Sequence, residues 1–465
     1  MKRLVLLLLS TLLLCSCANK SMVRYETLAP ALEKGGFEGA IQKAKKEQKS
    51  IYGDNSKFLY YFDLGTLYHY QGKFKESAEY LDKADQVYDE LYTKSVTNET
   101  AAILTNDNIR PYRARPFEVL TLHQMQILNY LAMRDIEGAM VEVRRAQLAQ
   151  ESLYQKDHDK VNDNGFLRYL CALVYEMAGE HEDAAISYIN TVKAYHEGNM
   201  KLPKEVWEYV NESLVKMGRA GDLNRLGYKP LQATPKATAS REKGQEIIVI
   251  GYAGHSPILG ERRMSGTYVS GGLMNLSYKD SETGEHRSTT IAAPVVSGGN
   301  GQTLYIGIAL PEKRNLPQTV RRLDVSIDDG KFFKPEMVMN VDAELTKNIE
   351  EETPTTMART AARVAVRTIA AQAAKAAMQT KNALVNLTTS IGTDIAQSQL
   401  EQADLRVGLF LPNTICMARF PVDEGVHNVT INSLGFHGET VNQHVFNNVK
   451  VAKGQKIFVF VPAIH

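Results

Sequence analysis

Residues 64–84 read LGTLYHYQGKFKESAEYLDKA, and this stretch decides the architecture of the amino-terminal half. Its apolar residues recur at helical spacing on both sides of Gly72, as two helices joined by a tight turn require. The small residues Gly65, Ser77 and Ala84 stand where antiparallel helices would cross closely. Tyr68, Phe74 and Leu81 would fill the space beside that crossing. The same template fits twice more. In NYLAMRDIEGAMVEVRRA (129–146) the equivalent places fall to Tyr130, Ile136, Ala139, Val143 and Ala146. In CALVYEMAGEHEDAAISYINT (171–191) they fall to Ala172, Tyr175, Gly179, Ala184, Tyr188 and Thr191. Gly35, Phe37 and Ala40 read as the second half of a partial earlier unit.

These registers resemble the tetratricopeptide repeat (TPR), and the resemblance implies a TPR-like α-solenoid over 17–230. The stack is not strictly tandem. Turn positions Gly72, Arg134 and Gly179 stand 62 and 45 residues apart, against about 34 in uninterrupted arrays. A polar loop with two prolines, VTNETAAILTNDNIRPYRARP (96–116), breaks the first interval. Residues 203–218, PKEVWEYVNESLVKMG, read as a closing amphipathic helix with Val206, Trp207, Val210 and Leu214 inward. By the same resemblance, Phe62, Thr66, His69, Tyr70, Gln124, Leu128, Tyr169 and Leu173 line a groove that would take a peptide or protein partner. The alternative is a spacer array in which several of these pack against the loop or the next domain. His69 has no special role in either reading.

LQATPKATASREKGQE (231–246) lacks apolar periodicity and reads as an exposed linker. Beyond it the period changes to two. IIVIGYA (247–253), TLYIGIAL (303–310), RRLDVSID (321–328), EMVMNVD (336–342), TICMARF (414–420), HNVTIN (427–432) and KIFVFVP (456–462) read as strands. Their spacing predicts an antiparallel β-sandwich-like domain over 247–465, its last strand following a KGQ turn. A helical insertion at about 353–400 interrupts it. Thr353 and Pro354 suit a helix start, and Glu350, Glu351 and Glu352 suit its positive end. In the run that follows, Ala362, Ala365, Ile369, Ala373 and Ala376 share a narrow face, with Arg359, Arg363 and Arg367 on a stripe turned away. The alanine face could pack within its own domain, on residues 382–400, on the helical array, or on a second copy of the chain. The arginine stripe could lie on anionic lipid.

The amino terminus, MKRLVLLLLSTLLLCSCAN, has a short basic region and an apolar core too short to span a bilayer. Residues 1–16 therefore read as an export signal. Leu14-Cys15-Ser16-Cys17 resembles the bacterial lipobox, which implies lipidation of Cys17. Ala18 and Asn19 follow without an aspartate, which favours the outer membrane, on its periplasmic face. Loss of Lys2 and Arg3 with the leader turns the formal charge from +1 to −1. Such a balanced chain is poorly suited to nucleic acid. Cys171 and Cys416, with apolar neighbours, read as small buried hydrophobes, and no cysteine–histidine cluster has zinc-site spacing. No cofactor and no metal are expected.

The sequence contains no G-x-S-x-G elbow, P-loop, H-E-x-x-H or dinucleotide glycine fingerprint. In GYAGHSPILG (251–260), His255 beside Ser256 reads as a turn, and Glu142 with Arg145 as a surface ion pair.

TNDNIRPYRARPFEVLTLHQMQILNYLAMRDIEGAMVEVRRAQ (105–147), FLRYLCALVYEMAGEHEDAAISY (166–188), the Ala/Arg helix and EQADLRVGLFLP (401–412) together resemble an uncharacterised family of TPR-containing bacterial lipoproteins. Ala114 and Arg134 stand where that pattern leads one to expect glycine. The resemblance brings no activity with it. The function expected is a membrane-anchored envelope scaffold or adaptor recruiting an envelope protein, in cell-wall synthesis or in secretion and surface assembly, with homo-oligomerisation open. A cell-wall or glycan hydrolase in the β-rich half, or a surface adhesin, are the alternatives.

Overall fold

The computed structural model describes residues 21–94, 110–157, 163–198, 200–225, 227, 244–269, 272–280, 283–292, 303–377 and 402–464. The leader, Cys17 and nearly all of the expected linker lie outside these residues. Helices occupy the amino-terminal half and strands most of the remainder.

Helix α1 (Ser21–Lys46) bends at Gly36, which adopts φ 59°, and a short α2 (Gln48–Ile51) follows. Three helix pairs then stack: α3 (Lys57–Tyr70) with α4 (Phe74–Lys94), α5 (Pro116–Ala132) with α6 (Ile136–Asp157), and α7 (Gly165–Ala178) with α8 (His181–Glu197). Helices α9 (Lys204–Lys216) and α10 (Ala220–Arg225) close the array, with Val206, Val210 and Leu214 fully buried. The small residue at 65 answers a steric need, since a Cβ there would sit 2.6 Å from the Leu81 side chain. All three turns place a left-handed residue at the same point: Gly72 (φ 75°), Arg134 (φ 61°) and Gly179 (φ 83°). Arg134 therefore makes the turn that glycine makes elsewhere, and Ala114 needs no such backbone.

The strands are β1 (Glu246–His255), β2 (Ile258–Val269), β3 (Leu273–Lys279), β4 (His286–Ala292), β5 (Thr303–Arg314), β6 (Arg322–Ile327) and β7 (Glu336–Asn340). Helix α11 (Val341–Ala377) comes next, then β8 (Pro412–Pro421), β9 (Gly425–Leu434), β10 (Thr440–Val451) and β11 (Lys456–Ala463). They form three sheets, ordered β11-β1-β8-β7, β10-β9-β6 and β4-β3-β2-β5. The first two pack on each other through Ile247, Val249, Val325, Phe420, Val429, Ile431 and Val461, in the half expected to be an antiparallel sandwich. One pairing departs from it: β11 runs parallel to β1, with Ile248 opposite Phe458.

The other face of the first sheet carries Ile248, Ile250, Tyr252, Ile415, Met417 and Phe460 into one core with the helical array. Strand β1 is consequently buried at all ten positions. That is why its sequence is a continuous apolar run and not an alternating one.

The third sheet packs against α11. Helix α11 starts at Val341, twelve residues before the expected start, and passes through Pro354. The Asn340 side chain accepts from Ala343 N at 3.1 Å and supplies the cap, with Asp342 in the first turn. Ala361, Val364 and Ala365 pack on Met264, Tyr268, Met274, Leu276, Ile306 and Ile308 of the sheet. Of the expected oligomer face, Ala365 is thus covered by its own domain and Ala362 is half-buried. Ile369, Ala373 and Ala376 lie outside the described side chains. Arg363, expected to point away, is buried, with Nη2 3.3 Å from Thr360 Oγ1.

Candidate functional site: a groove filled in cis

All eight residues read as groove-facing are buried: Phe62, Thr66, His69, Tyr70, Gln124, Leu128, Tyr169 and Leu173. The groove they were expected to open to a partner is closed by the chain's own carboxy-terminal half. Strands β1 and β8 cover His69 and Tyr169, and an extended strap, residues 402–411, leading into β8, covers Phe62 and Tyr70.

Successive peptide groups of the strap are read by side chains from the array. The Arg406 carbonyl accepts from Arg115 Nη1 at 2.7 Å and the Val407 carbonyl from Arg24 Nη2 at 2.9 Å. Gly408 N–H donates to Glu118 Oε1 and Leu409 N–H to Asp63 Oδ1, both at 2.8 Å. The Phe410 carbonyl accepts from Tyr70 Oη at 2.8 Å. A buried strand without sheet partners would otherwise leave these groups unsatisfied, each at a cost of roughly 1–3 kcal/mol. Glycine at 408 is needed because a Cβ would lie 2.8 Å from the Phe62 ring.

The two carboxylates that hold the strap are themselves held. Tyr52 Oη donates to Asp63 Oδ2 at 2.9 Å, and Tyr112 Oη and Arg115 N–H donate to Glu118 Oε2 at 2.6 and 2.8 Å. Burial pushes Asp63 up to about 7 against the opposing pull of Arg24, and it raises Glu118 too. These are clamps on backbone N–H groups, not an acid pair across an open cleft.

His69 bridges the two halves. Its Nδ1 is 2.7 Å from Asn129 Oδ1 and its Nε2 2.6 Å from Tyr252 Oη. Asn129 Nδ2 in turn donates to Ser77 Oγ at 2.9 Å, so the small residue of the repeat also anchors this chain of bonds. Burial pushes His69 down to about 4, so it is neutral at physiological pH. Gln124 Nε2 donates to Asn164 Oδ1 at 2.9 Å, and Thr66 Oγ1 bonds back to the Phe62 carbonyl. Tyr169 meets Arg419 of β8, whose Nε donates to Glu246 Oε2 at 2.8 Å. Leu128 and Leu173 belong to the shared core.

One smaller expectation also changes. Glu142 is buried, not on the surface, with His123 Nδ1 2.5 Å from its Oε1 and Arg145 at 3.8 Å. His255 ends β1 and Ser256 joins it to β2, both buried. Cys171 and Cys416 are free thiols, the first buried.

The strap was visible in the sequence as alternating Leu405, Val407, Leu409 and Leu411, a period of two. Nothing local said that its partner was a helical groove and not a sheet.

At one end of the strap lies a cavity of about 440 Å³, lined by the segment Arg110–Arg115, by α11 and by residues 402–406. Among the described residues no group of three or more His, Cys, Asp or Glu is placed to hold a metal ion, and no helix is long and apolar enough to cross a membrane.

No protein-family model matches the chain, and no curated protein matches it. Among solved structures it is similar to the one titled "Crystal structure of MamA protein", at 15% identity and a TM-score of 0.28, over 44% of this chain and 86% of that one. A likeness of that degree carries no argument about function.

Proposed function

We propose that this chain is a lipid-anchored scaffold of the bacterial envelope, held on the outer membrane through Cys17, whose repeats engage a protein partner on their outer layer. The observation that carries the reading is the strap: the concave face is filled from within, so recruitment falls to the outer helices. Those helices display apolar side chains that are exposed among the described residues. Leu148 on α6 is 70% exposed, with Val141 one heptad before it, Tyr92 on α4 and Ile186 on α8 also exposed. Single exposed apolar residues are common, but two on one stripe of α6 make a more specific surface.

Ser21 supports the anchor. It is buried and donates to the Leu259 carbonyl at 2.8 Å, while only residues 18–20 separate it from Cys17. Three residues reach at most roughly 10 Å, so a lipidated chain would sit tight on the bilayer.

The test is made in the native host. Clickable palmitate should label the wild type and not Cys17→Ala, and a photocross-linker at position 148 should trap a discrete partner. The same cross-linker at buried position 128 should give intramolecular products alone. Equal labelling of both chains, or identical products from 148 and 128, would overturn the proposal.

A further inference from the structure

The cavity beside the strap is lined by five guanidiniums, those of Arg110, Arg113, Arg115, Arg359 and Arg406, against two carboxylates. Two of the five are structural. Arg115 Nε pairs with Glu352 at 3.2 Å, and Arg406 Nη2 with Asp404 at 2.7 Å. Arg406 Nη1 also donates to the Asn55 and Arg110 carbonyls at 3.1 and 3.0 Å, so its plane is fixed. Both acids are thereby engaged by buried arginines. Arg113 and Arg359 have no hydrogen-bond or ion-pair partner among the described residues, and both are exposed at the cavity.

An arginine facing bulk water needs no explanation. A concave space with this excess of positive charge does, because low-dielectric walls focus the field and raise the local concentration of anions. Among the described residues the buried pair is already matched to Glu352 and Asp404, and the two arginines without a partner come from different elements, the 110–115 segment and α11. Guanidinium forks match the oxygens of a phosphate better than a single carboxylate, which two forks would over-supply. Thr356 adds a hydroxyl to the lining, while Ala309 and Pro311 add apolar surface. At about 440 Å³ the space exceeds a bare inorganic ion and falls in the range for small organic ligands.

We propose that this cavity binds a soluble phosphomonoester, with Arg113 and Arg359 gripping the phosphate and the apolar wall taking the organic part. Binding would tie α11 to the array beside the strap, giving the scaffold a small-molecule input.

The experiment is calorimetric titration of the detergent-solubilised full chain with glycerol 3-phosphate, inorganic phosphate and succinate. The expected result is saturable binding of glycerol 3-phosphate, weakening with salt, tighter than inorganic phosphate or succinate. Arg113→Gln with Arg359→Gln should weaken it at least about tenfold, while Arg287→Gln on the distant strand β4 leaves it unchanged. Because Arg113 and Arg359 support no described contact, the double variant should keep the wild-type circular dichroism. In the wild type, glycerol 3-phosphate should also shield Arg113 and Arg359 from phenylglyoxal, a readout independent of any variant. No saturable heat, succinate binding as tightly, unaltered affinity in the double variant, or capture by phosphatidic acid vesicles without binding of glycerol 3-phosphate would each overturn the proposal.

Discussion

Asp63 and His69 lie six residues apart on one helix, yet burial moves them in opposite directions. Asp63 is raised to about 7, so between about pH 4 and 7 the folded chain holds a proton that the unfolded chain has lost. Stability therefore rises through this residue as pH falls. His69 and His255 are both pushed down to about 4, so between about 4 and 6.5 the unfolded chain binds protons that the folded one refuses. Stability falls through each of them as pH falls. Within that window Asp63 offsets one of the two histidines. Asp63→Asn keeps an acceptor for Leu409 N–H and removes the offset. Its urea-unfolding free energy should lose up to about 1.4 kcal/mol more per pH unit than the wild type between pH 6.5 and 4.5. Parallel pH profiles would show that Asp63 does not carry the strap as a protonated acid. None of this was legible beforehand: a histidine at a groove position looks like a polar surface residue until the strand that buries it is known.

At the scale of elements, the helix pairs were legible because their rule is local. A small residue at the crossing, a left-handed residue at the turn and helical apolar spacing are all written within some twenty residues. The turn at Arg134 tests that rule. A non-glycine residue in the left-handed region costs about 1–2 kcal/mol, partly returned on substitution because glycine is freer in the unfolded chain. Arg134 forms no bond through its side chain among the described residues, so Arg134→Gly should stabilise the protein by about 0.5–1 kcal/mol, read as a raised urea midpoint at unchanged slope. No gain would mean that the turn is not strained. Elements whose partners are distant were less legible. Strands β2, β3 and β4 were missed because one face lies under α11 and the other is polar, with Gly260 and Gly266 interrupting β2. Strand β10 was missed because all but one of its residues are exposed or half-buried. The start of α11 was misplaced for the opposite reason. Thr353-Pro354 has the chemistry of a beginning, but Thr353 Oγ1 bonds back to the Ile349 carbonyl, and the helix runs straight through.

At the scale of the molecule, the two halves that composition divides share one buried core. Ile248, Ile250, Tyr252, Ile415, Met417 and Phe460 are buried in one core with the array. At about 1.5–3 kcal/mol each, exposing that face would forfeit roughly as much as the whole margin of about 5–15 kcal/mol that holds a protein folded. The polar contacts work in the same direction. Removing the array would strand Arg419 and Glu246 beside an absent Tyr169, and would leave the strap's peptide groups without partners. If that core is needed by both halves, the change of period from 3.6 to 2 marks a boundary between kinds of secondary structure, and neither half should stand alone. Calorimetry on the full chain should show a single cooperative transition in which array and sheets melt together. Residues 244–465 expressed alone should bind hydrophobic dyes and lack the near-ultraviolet signature of packed aromatics. Two resolved transitions, or a well-folded fragment, would mean that the strap is a detachable ligand of an independent array. The concave groove would then return as the place where a partner competes.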